Sequence, residues 1–166
     1  MKALTIWQPW ASLIMAGAKP YEFRGWRAPR SLIGQPIVIH ASARKIDVEE
    51  VGSLFRLRNF RNIDAEHKLA WAETCLIADK SQAVFNQALE GTLPFAAGLG
   101  TAVIGEPRIG TEIAEEFGVP RVNDSDRDQH ANFGWPLTDI EVWNDPIPMK
   151  GRQGFWNWPE PEDFGL

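Results

Sequence analysis

The sequence has little that could cross-link the chain or hold a metal. Its 166 residues include one cysteine, Cys75, and three histidines. One thiol cannot form a disulfide within the chain, and it excludes a site built from several thiolates. No run approaches the 18 consecutive apolar residues typical of a membrane-spanning helix. We therefore expect a globular protein with no membrane segment, no metal and no cofactor.

The first residues, Met1 to Pro9, do not resemble a targeting segment. They contain one lysine and no arginine, and they lack the apolar core of a signal peptide. From these features we expect a cytoplasmic protein. The length suits one domain spanning residues 1–166, and we favour a monomer.

Charge is distributed unevenly along the chain, whose net charge is −5. Residues 1–61 contain ten Lys and Arg against four Asp and Glu, whereas residues 62–166 contain seven against eighteen. A basic half can offer a polyanion a positive face even when the whole chain is acidic. The alternative is that folding intermixes the two halves, and the sequence leaves both open.

Hydrophobic periodicity predicts strands at both ends of the chain and helices between them. Strands are predicted at residues 2–6, 21–26, 36–40, 100–105, 137–143 and 151–158. Helices are predicted at residues 9–17, from residue 47 onward, and at residues 64–77 and 81–89. This order is typical of an α+β protein with a mainly antiparallel sheet or barrel and a helical insertion at about residues 47–95.

The most informative segment is residues 17–24, which read Gly-Ala-Lys-Pro-Tyr-Glu-Phe-Arg. Side chains alternate along a strand, so Glu22, Arg24 and Trp26 should point to one face, with Lys19 reaching it from the preceding turn. Arg24 can then clamp a phosphate and Trp26 can stack on a base, while Glu22 and Lys19 can take part in proton transfer. The alternative is a Glu22–Arg24 surface ion pair beside a packed tryptophan.

These residues match the pattern Gly-x-Lys-x-x-Glu-x-Arg, the signature of the ASCH (activating signal cointegrator homology) domain family. Residues 4–13 resemble the opening strand and helix of that family, residues 37–45 its third block, and residues 147–156 its ending. The helical middle resembles it weakly. The resemblance implies a PUA-like, mainly antiparallel β-barrel with flanking helices that binds RNA or a modified nucleoside.

The resemblance also allows two hydrolytic activities. One is metal-independent, ribonuclease-like hydrolysis, with Glu22 as the general base and Lys19 as the acid or charge stabiliser. The other is an amidohydrolase reaction on an acetylated nucleoside, which in the family uses a lysine followed three positions later by a threonine. Lys19 matches that lysine, but Glu22 stands in the place of the threonine. A non-catalytic protein-interaction module is the further alternative.

A second group of candidate residues follows the strand predicted at residues 36–40. His40 could act as an acid or base near neutral pH, and Ser42 could bind phosphate. Arg44 and Lys45 would raise the local positive potential and bind phosphate. The alternative is that Ser42 turns the chain and the two basic side chains are merely solvated.

The sequence contains eight tryptophans, which can stack on bases or fill a core. Trp26 and Trp135 are the candidates for stacking on a base. The tryptophans expected to pack inside are Trp7, Trp10, Trp71 and Trp143.

Three aspartates, Asp124, Asp126 and Asp128, have the spacing of the first ligands of a calcium loop. The position that requires glycine is Gln129, and the position that requires glutamate is Trp135. The sequence therefore predicts no calcium site.

Overall fold

A computed structural model describes residues 1–59, 64–122 and 132–159, and it confirms an α+β fold with five helices. The rejected calcium spacing at residues 124–128 lies outside this range. The strands are β1 (Lys2–Ile6), β2 (Tyr21–Arg24), β3 (Pro36–Ala41), β4 (Ala97–Ile104), β5 (Arg108–Ile109), β6 (Phe133–Pro148) and β7 (Phe155–Asn157). The helices are α1 (Trp10–Met15), α2 (Val48–Asn59), α3 (Ala65–Glu73), α4 (Ala78–Glu90) and α5 (Gly110–Phe117).

The strands form one mixed sheet in the order β2-β6-β4-β3-β1-β7, with β5 also paired to β6. Within the described residues β1 and β3 pair in parallel, and the other five pairs are antiparallel. Strand β6 pairs with β2 and β5 through its first residues and with β4 through the rest. Register shifts interrupt the pairing of β4 with both neighbours, and such bulges bend a sheet. The sheet therefore curls into a half-barrel.

Aromatic packing brings the two ends of the curled sheet together. Trp135 at the start of β6 stacks on Phe155 of β7, with ring centroids 5.7 Å apart and an interplanar angle of 12°. Phe155 pairs in register with Leu4, while Trp135 pairs in register with Glu22 of β2. The strand that carries the signature residues is thus held near β7 and β1 by stacked rings.

The helices between β3 and β4 pack on α1. Leu13 and Ala18, in and just after α1, share a core cluster with Val51 of α2 and with residues of α4 that include Phe85. The backbone N–H of Ile77 also donates to Ala18 O at 2.8 Å. The apolar stripes of α2 and α4 are therefore used inside the molecule, where they hold the turn that leads from α1 to Lys19.

Most of the predicted elements are present. The strand predicted at residues 137–143 is part of the longer β6, and β5 and α5 were not predicted. Helix α5 packs on the Tyr21/Phe23 side of β2 through Ile113 and Ala114. Within the described residues no helix is long and apolar enough to span a membrane.

Candidate functional site

Lys19, Glu22 and Arg24 form one connected group, which we call the signature cluster. Arg24 Nη2 lies 2.8 Å from Glu22 Oε1, and Lys19 Nζ lies 3.7 Å from Glu22 Oε2. Lys19 Nζ also donates to the backbone O of Tyr21 at 2.7 Å. The expected convergence of the three side chains is present. Glu22 is buried rather than exposed, so the cluster is not a surface ion pair.

Strand alternation explains why the cluster forms where it does. Glu22 and Arg24 pair in register with Trp135 and Phe133 of β6, and these residues share the face of β2 that looks into the half-barrel. Tyr21 and Phe23 point to the other side, where they pack with α5. Because side chains alternate along β2, its charged residues face the inside of the half-barrel while its apolar residues pack against α5.

Arg24 is the member of the cluster that reaches solvent. Its side chain keeps 26% of its surface exposed, whereas Lys19 is 1% exposed. The guanidinium lies over the Trp135 ring at 5.9 Å, and its buried Nε–H has no hydrogen-bond partner in the part of the chain that the structure describes. A buried donor without a partner costs about 1–3 kcal/mol, which a ligand oxygen would recover.

Two tryptophans lie beside Arg24 and differ sharply in exposure. Trp26 is 46% exposed and packs edge-on against Trp135, with ring centroids 4.8 Å apart. Trp135 has no exposed surface, and its indole N–H donates to Trp26 O at 3.0 Å. Only Trp26 of this pair is exposed to solvent, and it packs against the buried ring of Trp135.

A groove of about 500 Å³ lies on the other side of Lys19, between the end of α1 and the middle of β6. Lys80, Thr138 and Asp139 lie in its wall, and all three are exposed. Lys19 contributes to the same wall, yet it is nearly fully buried. The groove therefore gives a ligand little access to the Lys19 ammonium.

Ser42, Arg44 and Lys45 follow β3, where Ser42 is buried and the two basic residues are exposed. The Ser42 hydroxyl accepts the backbone N–H of Arg44 at 3.2 Å, and Ser42 N donates to Ile6 O at 2.9 Å. The Arg44 guanidinium carbon lies 3.6 Å from the centroid of the Trp7 ring, and Lys45 is exposed. The prediction that Trp7 packs inside was wrong, because this residue is 46% exposed.

His40 lies apart from these groups, on the outer face of the sheet. Its neighbour Ile39 points into the half-barrel, so the His40 ring points outward and packs against Trp156 at 5.4 Å. Nε2 donates to Met149 O at 2.8 Å, which leaves Nδ1 as an acceptor with no partner among the described residues. A Cβ on Gly151 would lie 2.4 Å from the ring, so glycine is needed there. His40 thus fastens the segment that leads into β7.

Burial lowers the pKa of His40 below the ordinary 6.5, although the hydrogen bond to Met149 acts in the opposite direction. The unfolded chain then binds a proton more readily than the folded protein does. Stability is therefore fully present above about pH 6.5 and is lost as the pH falls through the lowered pKa.

We expect the urea midpoint to fall between pH 7.5 and pH 5.5, and to fall less in His40→Gln, which cannot take up the proton. His67→Gln is the matched control, because His67 is an exposed histidine paired with Asp64. An equal fall in His40→Gln and the unaltered protein would contradict this origin of the pH dependence.

A second polar network ties α5 to β2. Arg108 Nη1 donates to the Tyr21 hydroxyl at 2.8 Å and to Glu116 Oε2. Burial raises the pKa of Tyr21, and the adjacent Arg108 opposes that rise. Because Tyr21 adjoins Glu22, this network helps to fix the strand on which the signature cluster stands.

The described residues contain no group of three His, Cys, Asp or Glu side chains that could hold a metal ion. The chemistry that they bring together is therefore that of guanidinium, ammonium, carboxylate and indole groups. Such groups bind phosphates, carbonyl oxygens and base rings.

Comparison with known proteins gives one family. The model of the ASCH domain matches residues 4–95, which contain the signature cluster, Ser42 and all three helices between β3 and β4. A comparison with curated proteins finds no match. The match covers more than half of the chain, and the curled sheet with its flanking helices agrees with the PUA-like fold that the resemblance implied. The chain belongs to the ASCH domain family.

Proposed function

We propose that this ASCH domain binds RNA, or a modified nucleoside, at the signature cluster. One observation carries the proposal. The Arg24 guanidinium is fixed by Glu22, is partly open to solvent, and has an Nε–H with no partner among the described residues, and it packs on the same Trp135 ring as the exposed Trp26. A fixed guanidinium with a spare donor next to an aromatic surface suits a phosphate or carbonyl oxygen attached to a base.

Within this proposal the residues of the signature cluster have different tasks. Arg24 donates to the ligand, and Trp26 stacks on a base. Glu22 and Lys19 hold Arg24 in place, since both carboxylate oxygens of Glu22 face the two cations. Trp135 supports Arg24 and Trp26 from below.

The residues after β3 contribute in a second way. Arg44 and Lys45 add positive charge near the end of β1, and Ser42 fixes the backbone of Arg44. His40 faces away from these side chains and acts on the site only through the segment that it fastens.

Electrostatics supports an anionic ligand in spite of the net charge of −5. The exposed cations Arg27, Arg30, Arg44 and Lys45 belong to the basic first part of the chain, as does Arg24. Neutralising phosphates releases counterions, so affinity should fall steeply as salt is added. Binding that does not depend on salt would contradict a phosphate contact.

Replacing Arg24 by Ala should weaken binding of a fluorescein-labelled, single-stranded RNA octamer by tenfold or more, as expected for loss of a charge-assisted hydrogen bond worth about 1.5–3 kcal/mol. The slope of log affinity against log salt should become shallower by about one. Fluorescence anisotropy at several salt concentrations measures both quantities.

Arg30→Ala is the matched control, because it removes the same charge from an exposed turn outside the cluster. It should change affinity far less than Arg24→Ala does. Equal losses of affinity in the two variants would show that binding depends only on overall charge, and Arg24 would then have no specific role.

Hydrolysis is the alternative use of the same residues. Glu22 is buried and each of its carboxylate oxygens faces a cation, so a substrate proton has little access to it. The geometry therefore favours binding, and we expect RNA incubated with the protein in EDTA to stay intact. Products that form with the unaltered protein and disappear in Glu22→Gln would establish hydrolysis instead.

The protein-interaction alternative depends on α2, α3 and α4. The apolar residues of α2 and α4 pack on α1, which argues for a supporting role of these helices within one domain. These helices then hold the turn before Lys19 in place, and the RNA binds at the signature cluster instead.

A further inference from the structure

The exposed pair formed by Trp7 and Arg44 stands out from the other charged groups on the surface. With the guanidinium carbon 3.6 Å from the ring centroid, the two planar groups are in van der Waals contact. Arg44 is itself exposed, so the stacked pair presents a flat cationic surface to solvent. We call this pair the Trp7–Arg44 platform.

The backbone on both sides of the platform is fixed by buried groups. Gln8 is buried, and its side-chain amide donates to Ser12 Oγ and to Pro94 O, at 2.8 Å each. Its Oε1 accepts the backbone N–H of Ser12 at 3.1 Å. On the other side, the buried Ser42 holds the backbone of Arg44. These buried groups hold the turn that carries Trp7 rigid, although the Trp7 indole itself is less buried than a core tryptophan.

The platform is connected to the signature cluster through the start of α1. The backbone N–H of Ala11 donates to Trp7 O at 3.1 Å, so Trp7 is one helical turn before the start of α1. The first residue of that helix, Trp10, has its ring 5.5 Å from Lys19 Nζ. A rise of about 5.4 Å, one helical turn, therefore separates Trp7 from the helix whose first residue contacts Lys19.

We propose that the Trp7–Arg44 platform is a second stacking site, on which a neighbouring base of a single-stranded RNA lies against the Arg44 guanidinium. Bases stack on arginine planes as well as on aromatic rings. Trp7 keeps that plane in a fixed orientation, and Lys45 lies beside it for a phosphate. The inference rests on the proposed function and deepens it, because it names an oligonucleotide, rather than a lone nucleoside, as the ligand.

The test compares Arg44→Lys with the unaltered protein, because lysine keeps the charge but has no plane to stack on. Affinity for the labelled RNA octamer should fall about fivefold in Arg44→Lys and about tenfold in Arg44→Ala, in line with the loss of one stacked base. The salt slope should stay unchanged in Arg44→Lys. Trp7→Ala should resemble Arg44→Lys, and Trp7→Phe should retain most of the affinity.

A mononucleotide separates this inference from the proposed function. Uridine monophosphate, measured as a competitor of the octamer, should bind Arg44→Lys and the unaltered protein equally, because lysine keeps the positive charge and the single base stacks only at the signature cluster. Unchanged octamer affinity in Arg44→Lys, or an equal loss of mononucleotide affinity, would overturn the platform while leaving an effect of Arg24→Ala intact. Failure of the unaltered protein to bind the octamer would overturn the proposed function itself.

Discussion

Replacing Glu22 by Ala should lower the free energy of unfolding by about 3–5 kcal/mol, the usual cost of removing one partner from a buried ion pair. The carboxylate is buried between Arg24 and Lys19, and Lys19 is almost wholly inside the protein. Without Glu22, the buried Lys19 ammonium and the partly buried Arg24 guanidinium would both lose the carboxylate that they face. Urea unfolding at neutral pH measures the change.

Glu106→Ala is the matched control for Glu22→Ala. Glu106 also pairs with an arginine, Arg27, but both side chains are largely exposed. Exposed pairs contribute little, so this variant should unfold close to the unaltered protein. Similar effects of the two substitutions would show that the signature cluster is no more than a surface ion pair.

A double variant tests the origin of the Glu22 effect. Lys19→Met removes the buried ammonium, so adding it to Glu22→Ala should recover part of the lost stability. Strict additivity of the two losses would contradict direct coupling between Lys19 and Glu22.

The second large effect is expected at Gly100, in the part of β4 that bends against β6. Its φ of 156° is one that residues with a side chain rarely adopt, and a Cβ there would lie 2.2 Å from the backbone O of Glu141. Two of the three nearest atoms, Glu141 O and Val142 Cα, belong to the backbone of β6, so a change of rotamer cannot relieve the contact. Gly100→Ala should therefore cost about 3 kcal/mol or more, from strain and overpacking together.

Gly52 supplies the control for that substitution. It lies inside α2, and a Cβ at Gly52 would meet nothing within 4 Å. Gly52→Ala should raise stability by about 0.5–1 kcal/mol, because alanine favours a helix. Thermal unfolding should show a lower melting temperature for Gly100→Ala and a higher one for Gly52→Ala than for the unaltered protein. A Gly100→Ala protein that is as stable as the unaltered one would mean that β4 and β6 do not pair as described.

The signature cluster could be predicted from the sequence because strand alternation is a local property. Once residues 21–24 form a strand, Glu22 and Arg24 must share a face, and the turn at Pro20 brings Lys19 near them. The same reasoning, applied to β3, would have placed His40 on the face opposite Ile39, outside the half-barrel. Alternation alone would place His40 and Ser42 on the same face, but β3 ends at Ala41 and the chain turns at Ser42.

Other features depend on contacts between distant parts of the chain. Trp7 is exposed, and its contact with Arg44 joins two turns that only the parallel pairing of β1 and β3 brings together. Trp135 is buried because β6 continues past β4 to pair with β2, which lets its ring stack on Phe155. Hydrophobic periodicity carries no information on such pairings, so the exposure of individual tryptophans could not be predicted.

The side-chain Nε–Hε resonance of Arg24 tests the account most directly. Arginine labelled with ¹⁵N gives such a signal, and its disappearance in Arg24→Lys would assign it. The account predicts that it shifts saturably as the RNA octamer is added, because the unpaired donor gains an oxygen, while the corresponding Arg30 signal stays in place. An Arg24 signal that does not move at saturating RNA, while signals from other arginines do, would contradict binding at the signature cluster.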